Sequence, residues 1–218
     1  MTTRMGGSPL RGAIAVFPGQ LIAPPPRIVV FQYNPANVSR SLEHQVAPSG
    51  DETGLEFDTL RVRGAPKETI DMTVELDATD QLEESDSTAT SSGLGSAIAA
   101  LELLMFPNSA DVVARRLRLA LGEVQVSALE VPLALLIWGT ARVVPIRVRS
   151  LSITEKAFDQ NLNPIQAEAT LGLDVLSYEN LPWTSIGAVT SFADHMRKEA
   201  LSVLNTADAA DYLGLLPK

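Results

Sequence analysis

The amino-acid sequence predicts a mainly β, α+β protein, built around a rolled β-sheet with one packed helix and a C-terminal helix. Apolar and polar residues alternate strictly over residues 69–77, which predicts a strand with one packed and one polar face. Long alternating runs at 142–157 and 167–175, joined by an Asn- and Pro-rich connection, predict a β-hairpin with about a dozen residues per arm. The alternation changes phase at Ser150, which predicts a bulge or sharp bend. Strands of this length favour a small barrel or rolled sandwich over a flat sheet.

Further strands are predicted on both sides of these runs. A β-branched and aromatic run at 27–33 ends at Asn34-Pro35, and residues 55–62 and 126–138 are also β-prone. The polar segment 38–54 is ambiguous, since its composition suits a turn or loop as well as a strand.

Two helices complete the predicted fold. The first covers residues 93–106 and ends at Pro107. Its apolar stripe must lie on the sheet, because no other surface is predicted to cover it. The stripe consists of Leu94, Ile98, Leu101 and Met105.

The second helix covers residues 185–205 and repeats apolar side chains at spacings of three and four. Trp183 precedes this helix, and we expect it to pack the helix on the sheet. We expect Trp138, at the end of an apolar strand, to lie in the core. The apolar repeat of the helix consists of Ile186, Val189, Phe192, Met196, Ala200 and Val203.

The composition divides the chain into three parts. Residues 1–25 are rich in Gly and Pro and are expected to form an irregular N-terminal arm. Residues 26–180 form the β domain, and residues 181–218 form a C-terminal helical extension. Within the β domain, the acidic, Ser/Thr-rich stretch 77–92 is expected to be an exposed loop.

The overall charge and composition disfavour several classes of protein. The chain has no cysteine and a formal net charge of −9, which disfavours disulfides, thiolate chemistry, nucleic acid and anionic membranes as partners. The Gly- and Pro-interrupted N-terminus does not resemble a signal peptide. The most apolar stretch, 131–138, covers about a third of a membrane span. These features predict a soluble cytoplasmic protein with no membrane insertion.

The few candidate residues for chemistry lack the surroundings that catalysis requires. His44 and His195 are the only histidines, and no G-x-S-x-G sequence accompanies either. Gly93-Leu94-Gly95 has no Lys after it, so it does not match a phosphate-binding loop. Residues 77–86 are acidic but lack the spacing of a calcium loop. The possibility that two strands bring together a catalytic pair of carboxylates stays open at this point.

The basic group Arg115, Arg116 and Arg118 is interpreted as a solvated face or as ion pairs at a subunit contact. An anion site is the less favoured alternative. The sequence therefore predicts no catalytic residue, no cofactor-binding residue and no metal ligand, and the protein is not expected to be an enzyme.

Three segments together resemble a known family. They are FQYNP at 31–35, GAPKE at 64–68 running to LDA at 76–78, and VPIRVRSLSITEKAFDQNLNPIQA at 144–167. Over roughly residues 25–180 the chain resembles the tube-like domain of the baseplate adaptor proteins of contractile injection systems, the phage-tail-like particles. The hairpin segment is the most specific of the three.

The resemblance implies a phage tail-tube-like β-barrel or sandwich that assembles as a homohexameric ring. Such a ring would join the central spike to the inner tube, template tube assembly and contact other baseplate proteins within the particle. The polar face of 69–75 would then line a hydrated channel, or else face the outer surface. The alternatives are a tube terminator or cap of the same particle, and a small-ligand-binding β-barrel or β-barrel enzyme.

The sequence departs from the family pattern in one respect. Many relatives continue into a LysM module that clamps neighbouring baseplate proteins, whereas here a helix at 185–205 and a short tail follow the β domain. The resemblance therefore leaves the clamping role in doubt, and the helix is expected to replace part of it.

Overall fold

The structure is a computed structural model that describes residues 10–17, 26–31, 33–46, 62–79, 92–123, 128–140 and 142–204. The strands are β1 (Ala13–Phe17), β2 (Arg27–Val30), β3 (Val38–Glu43), β4 (Lys67–Asp77), β5 (Leu133–Trp138), β6 (Arg142–Phe158) and β7 (Pro164–Val175). The helices are α1 (Gly95–Glu102), α2 (Ser109–Ala120) and α3 (Ile186–Leu204).

All seven strands lie in one sheet, and every neighbouring pair is antiparallel. The order is β2-β1-β5-β6-β7-β4-β3, so β2 and β3 are the outer strands. The prediction of a mainly β fold is confirmed. The closed barrel is wrong for the described part of a single chain, because β2 and β3 each pair with one neighbour and leave the sheet open.

The strongest sequence patterns give the expected elements. In β4 the side chains of Ile70, Met72, Val74 and Leu76 are buried, and the residues between them face the other side of the sheet. The predicted hairpin is β6 paired with β7. Its register shifts between Val148 and Ser150, as the change of phase predicted.

The elements in segments with weaker sequence patterns differ from the predictions. The segment expected to be an irregular arm contains β1, whose five residues are all buried between β2 and β5. β5 begins at Leu133 rather than 126, and β2 is shorter than 27–33. The ambiguous segment after Asn34-Pro35 contains β3.

Two predicted segments fall largely outside the described residues. Of the strand expected at 55–62, only Val62 is described, and it bridges Val46. Of the acidic loop expected at 77–92, residues 80–91 lie outside the described part, and Asp77 belongs to β4.

The main core lies between one face of the sheet and α1. Leu94, Ile98 and Leu101 are buried there as predicted, but α1 ends at Glu102, before Pro107. Because the chain leaves the helix early, Leu104 is buried in the core and Met105 is 39% exposed. The expected stripe is therefore correct in its first three members and wrong in the fourth.

The last helix packs on the opposite face of the sheet, where a second apolar cluster forms around β1 and β5. The residues that α3 buries are Gly187, Ala188 and Asp194, which are small or charged. A Cβ atom on Gly187 would lie 2.6 Å from Leu181 Cδ1, so glycine lets the helix approach closely. Ile186 packs against this second cluster, whereas the large apolar residues of the repeat from Val189 onward face outward.

Helix α2 was not predicted. Asn108 caps it, since its Oδ1 accepts from the backbone N–H of Ala110 at 3.0 Å, with Asp111 in the first turn and Arg118 in the last. None of its residues is buried. It is an amphipathic helix whose residues are at most partly buried.

Candidate assembly surfaces

The residues considered for catalysis are not brought into any site. His44 is exposed, and His195 stacks on Tyr178 with ring centroids 6.0 Å apart. The His195 Nε2 atom lies 3.5 Å from a carboxylate oxygen of Glu199. Among the described residues no three His, Asp or Glu side chains are arranged to hold a metal ion. In the same part of the chain, no helix is both long and apolar enough to cross a membrane.

The basic group lies on α2. Arg116 and Arg118 are exposed and Arg115 is half-buried, and none of the three forms an ion pair with another described residue. The group therefore places positive charge on α2.

The FQYNP segment has a structural explanation. Phe31 is buried, and its ring packs on that of Trp138 at a centroid distance of 6.4 Å. Asn34 Oδ1 accepts from the backbone N–H of Gly12 at 2.8 Å, and its Nδ2 donates to the carbonyl of Leu10 at 2.9 Å. The asparagine side chain thus makes the two backbone hydrogen bonds that a neighbouring strand would make. These bonds hold the chain in position just before β1. Trp138 packs against the core, as expected.

The two outer strands expose apolar side chains, and within the described residues each pairs with a neighbouring strand along one side only. On β2, Ile28 is 59% and Val30 is 54% exposed, and on β3 Leu42 is 53% exposed. Free edges of this kind pair readily with another strand unless charge or a bulge protects them. The open sheet consequently carries two attachment edges, one on each side.

The outward face of β4, β7 and β6 is polar and carries several cross-strand contacts. The hydroxyls of Thr73 and Thr170 lie 3.2 Å apart across the strands. Arg149 bridges to Asp71 at 3.0 Å, and Lys156 forms an ion pair with Glu168. Such a face is stable in contact with water and gains little from burial. Another ion pair on this face joins Arg147 to Asp174.

A charged network fastens α3 to the other elements through the buried carboxylate of Glu68, which is 5% exposed. Its Oε1 accepts from Arg40 Nε at 2.8 Å, and its Oε2 accepts from Lys198 Nζ at 3.1 Å. Arg142 Nη2 lies 3.8 Å from Oε1 and donates no hydrogen bond to a described residue. One carboxylate on β4 therefore lies within 4 Å of cations from β3, β6 and α3.

The carboxylate of Asp194 is the second negative charge in this network. Burial raises its pKa, but hydrogen bonds and charge from Arg197 and Lys198 outweigh burial, and the net effect lowers the pKa. For Arg142, burial lowers the pKa, as does the charge of Arg40.

The outer face of α3 is apolar and aromatic. Val189, Phe192 and Met196 are 58%, 41% and 56% exposed. Trp183 is 63% exposed and its ring lies 5.8 Å from that of Phe192. Trp183 therefore extends the exposed face of the helix, which corrects the expectation that it packs the helix on the sheet. An exposed contiguous apolar surface of this kind marks an interaction site.

The tip of the hairpin is a preformed loop. Asp159 Oδ1 accepts from the backbone N–H groups of Asn161 at 2.7 Å and Asn163 at 2.8 Å, and Oδ2 accepts from Asn163 Nδ2 at 2.9 Å. The hydrogen bonds from Asn163 lower the pKa of Asp159, so the carboxylate is ionised at neutral pH. The loop holds Leu162 at φ 64°, in the left-handed region, and leaves its side chain 79% exposed.

These features define a class of protein: a β-sheet subunit whose described residues leave both sheet edges open and form no catalytic site. A family model described as contractile injection system tube protein matches residues 22–177, more than two thirds of the chain. The chain belongs to this family, and it is therefore a structural component of a contractile injection particle. A search of curated proteins finds no match.

Proposed function

We propose that the chain forms a homohexameric ring at the baseplate, which joins the spike to the inner tube and templates tube assembly. The two free sheet edges carry this proposal. They lie on opposite sides of one sheet, so the β2 edge of one copy is placed to pair with the β3 edge of the next. Repeated pairing closes a ring in which no subunit retains a free edge.

The polar face of β4, β7 and β6 lines the water-filled lumen of this ring. Its side chains form cross-strand hydrogen bonds and ion pairs, and among the described helices α3 packs beside it against β6. The outer stripe of α3, formed by Val189, Phe192 and Met196, contacts a different subunit of the particle.

Ring formation is tested by size-exclusion chromatography with light scattering, followed by negative-stain microscopy. We expect six-fold rings from the native protein. Val30→Lys and Leu42→Lys place charge on the β2 and β3 edges at positions that are exposed in the single chain. Each variant should remain folded and monomeric. The matched control Leu121→Lys, which changes an exposed leucine just beyond α2, should still form rings.

Position in the particle is tested by binding to purified spike and tube subunits. Binding to both supports the adaptor. Binding to the tube alone would indicate the alternative function of a tube terminator or cap. A native protein that stays monomeric and binds neither partner would refute the proposal.

Contact through α3 is tested with Met196→Glu, which places a charge at an exposed position on the helix. The variant should form normal rings and lose binding to one partner. Unchanged binding to both partners would show that the outer stripe is not a contact surface.

A further inference from the structure

Helix α2 is amphipathic, yet none of its residues is buried. Its side chains Val113, Leu117 and Leu121 recur every four residues and are 68%, 60% and 79% exposed. The backbone N–H of Leu121 donates to the carbonyl of Leu117 at 3.0 Å, so the helical arrangement continues to Leu121. The three side chains therefore form one apolar stripe that stays exposed in the described part of the chain.

Alanines and arginines border this stripe in a regular order. Three alanines lie within roughly 60° of Leu117, because each residue turns about 100° around the helix axis. Arg116 and Arg118 lie about 100° from Leu117, one on each side, and both are exposed. Arg115 lies on the far side of the helix and is half-buried. The three alanines are Ala110, Ala114 and Ala120. We call the stripe, its alanines and the two flanking arginines the α2 face.

The flanking arginines carry charge that their own helix does not compensate. Neither Arg116 nor Arg118 forms an ion pair with another described residue. Asp111 lies seven residues before Arg118, and Glu123 lies seven residues after Arg116. Each separation is about 10 Å along the axis, whereas side chains meet at spacings of three or four residues. The α2 face therefore presents a positive charge on each side of an apolar stripe.

The composition of the α2 face favours another helix as its occupant over a lipid surface. Alanines beside a leucine stripe let a second helix pack closely, at the 8–10 Å axial distance usual for helix pairs. Helices that lie on lipid bury a broad apolar face rich in Trp, Phe and Leu, and α2 has no aromatic residue. The net charge of −9 also opposes binding of the chain to anionic lipid.

Charge also opposes a second copy of this chain as the occupant. Two α2 faces would bring arginine against arginine. The outer stripe of α3 has Glu199 on one side but Arg197 on the other, so it matches only one of the two arginines. Among the described helices, none therefore offers carboxylates on both sides of an apolar stripe.

We propose that the α2 face binds an acidic amphipathic helix of a different protein. The partner helix places apolar side chains on Val113, Leu117 and Leu121, and carboxylates beside Arg116 and Arg118. Charges on both sides select the partner, because a helix with acids on one side only would leave one arginine unpaired. The α2 face shares no residue with the β2 and β3 edges or with the outer stripe of α3, so this contact does not depend on the proposed ring.

Binding of two synthetic helices to the whole chain tests the proposal. The probes are fluorescein-labelled peptides of about 21 residues, with leucine at the core positions and either Glu or Lys on both sides. In fluorescence anisotropy we expect the Glu peptide to bind at least about tenfold more tightly than the Lys peptide, and to bind more weakly as salt rises. Leu117→Glu should weaken binding of the Glu peptide at least about tenfold. The matched control Met196→Glu places the same charge at an exposed position of α3 and should bind like the native protein.

Charge reversal provides the second measurement. The double variant Arg116→Glu, Arg118→Glu should bind the Lys peptide more tightly than the Glu peptide. The double variant Arg116→Gln, Arg118→Gln should lose the preference, and it serves in place of the first if that variant does not fold, as judged by circular dichroism.

Several results would overturn the inference. They are equal binding of the two peptides to the native chain, loss of binding in Met196→Glu, and binding to phosphatidylserine-containing vesicles without binding to the Glu peptide. Loss of rings in Leu117→Glu would also overturn it, since α2 would then be a contact between copies. A native protein that binds the Glu peptide but forms no rings would refute the proposed ring and support the α2 contact.

Discussion

Replacing Glu68 with glutamine should destabilise the chain by more than an ordinary surface substitution. The change keeps the side-chain volume but removes the only carboxylate within 4 Å of Arg40 and Arg142 among the described residues. Removing one partner from a fully buried ion pair costs roughly 3–5 kcal/mol. The side chains of Arg40 and Lys198 are 33% and 40% exposed, so they rehydrate in part. We therefore expect a loss of about 2–3 kcal/mol in the free energy of unfolding.

Urea unfolding followed by tryptophan fluorescence measures this loss, at one fixed subunit concentration because association changes apparent stability. Glu155→Gln is the matched control, since Glu155 is exposed on β6, and it should change stability by no more than about 0.5 kcal/mol. Combining Glu68→Gln with Lys198→Met should cost less than the sum of the two single changes. A loss below about 1 kcal/mol, or strict additivity, would refute the view that Glu68 fastens α3 to the sheet.

Three further predictions concern packing and the hairpin tip. Gly12→Ala should lower stability by about 1–3 kcal/mol in thermal melts, because its Cβ would lie 2.8 Å from the ring of Phe31. Gly93→Ala should be at least as destabilising, since φ is +54° and the Cβ would lie 2.3 Å from the Pro164 carbonyl oxygen. The Asp159 carboxyl should titrate below 3.8 by NMR. Its contribution to stability is then present above pH 3.8 and disappears as the pH falls through the lower folded pKa.

Each of these three has a clear contrary outcome. Melting temperatures within error of the native value in either alanine variant would show that the neighbouring atoms move aside without cost. A carboxyl that titrates at or above 3.8 would show that the hairpin loop is not held by its hydrogen bonds.

The elements that the sequence predicted best are those with long regular patterns. The alternation in β4 and in both arms of the hairpin predicts their faces correctly, because one face of an antiparallel sheet is packed. β1 was missed because Ala13–Phe17 is a short, continuously apolar run without alternation, within a stretch whose Gly and Pro content suggests an arm.

Sequence reasoning identified α3 as a helix but not the direction in which its apolar stripe faces. Spacing defines a stripe and does not say what covers it. The buried face is formed by small residues such as Gly187 and Ala188. Their small size matters only because the helix lies close to Leu181 and to the sheet beneath it, which the sequence does not show. The outer stripe could therefore not be recognised as a contact surface without the structure.

The assembly surfaces depend on tertiary structure for the same reason. Asp159 and the asparagines after it suggest a turn, but only the folded loop shows Leu162 in a left-handed conformation with an exposed side chain. The free edges at β2 and β3 likewise follow from strand order, which alternation does not determine.

The bulge in β6 has a consequence for how many copies close a ring. Arg149 is the extra residue between Val148 and Ser150, and a bulge bends its strand and increases the local twist. If neighbouring copies join edge to edge, the angle between the β2 and β3 edges fixes the rotation from one copy to the next. Ring stoichiometry would then be a property of sheet curvature. Deleting Arg149 would change the number of subunits in a ring without altering a single residue at the contact between them.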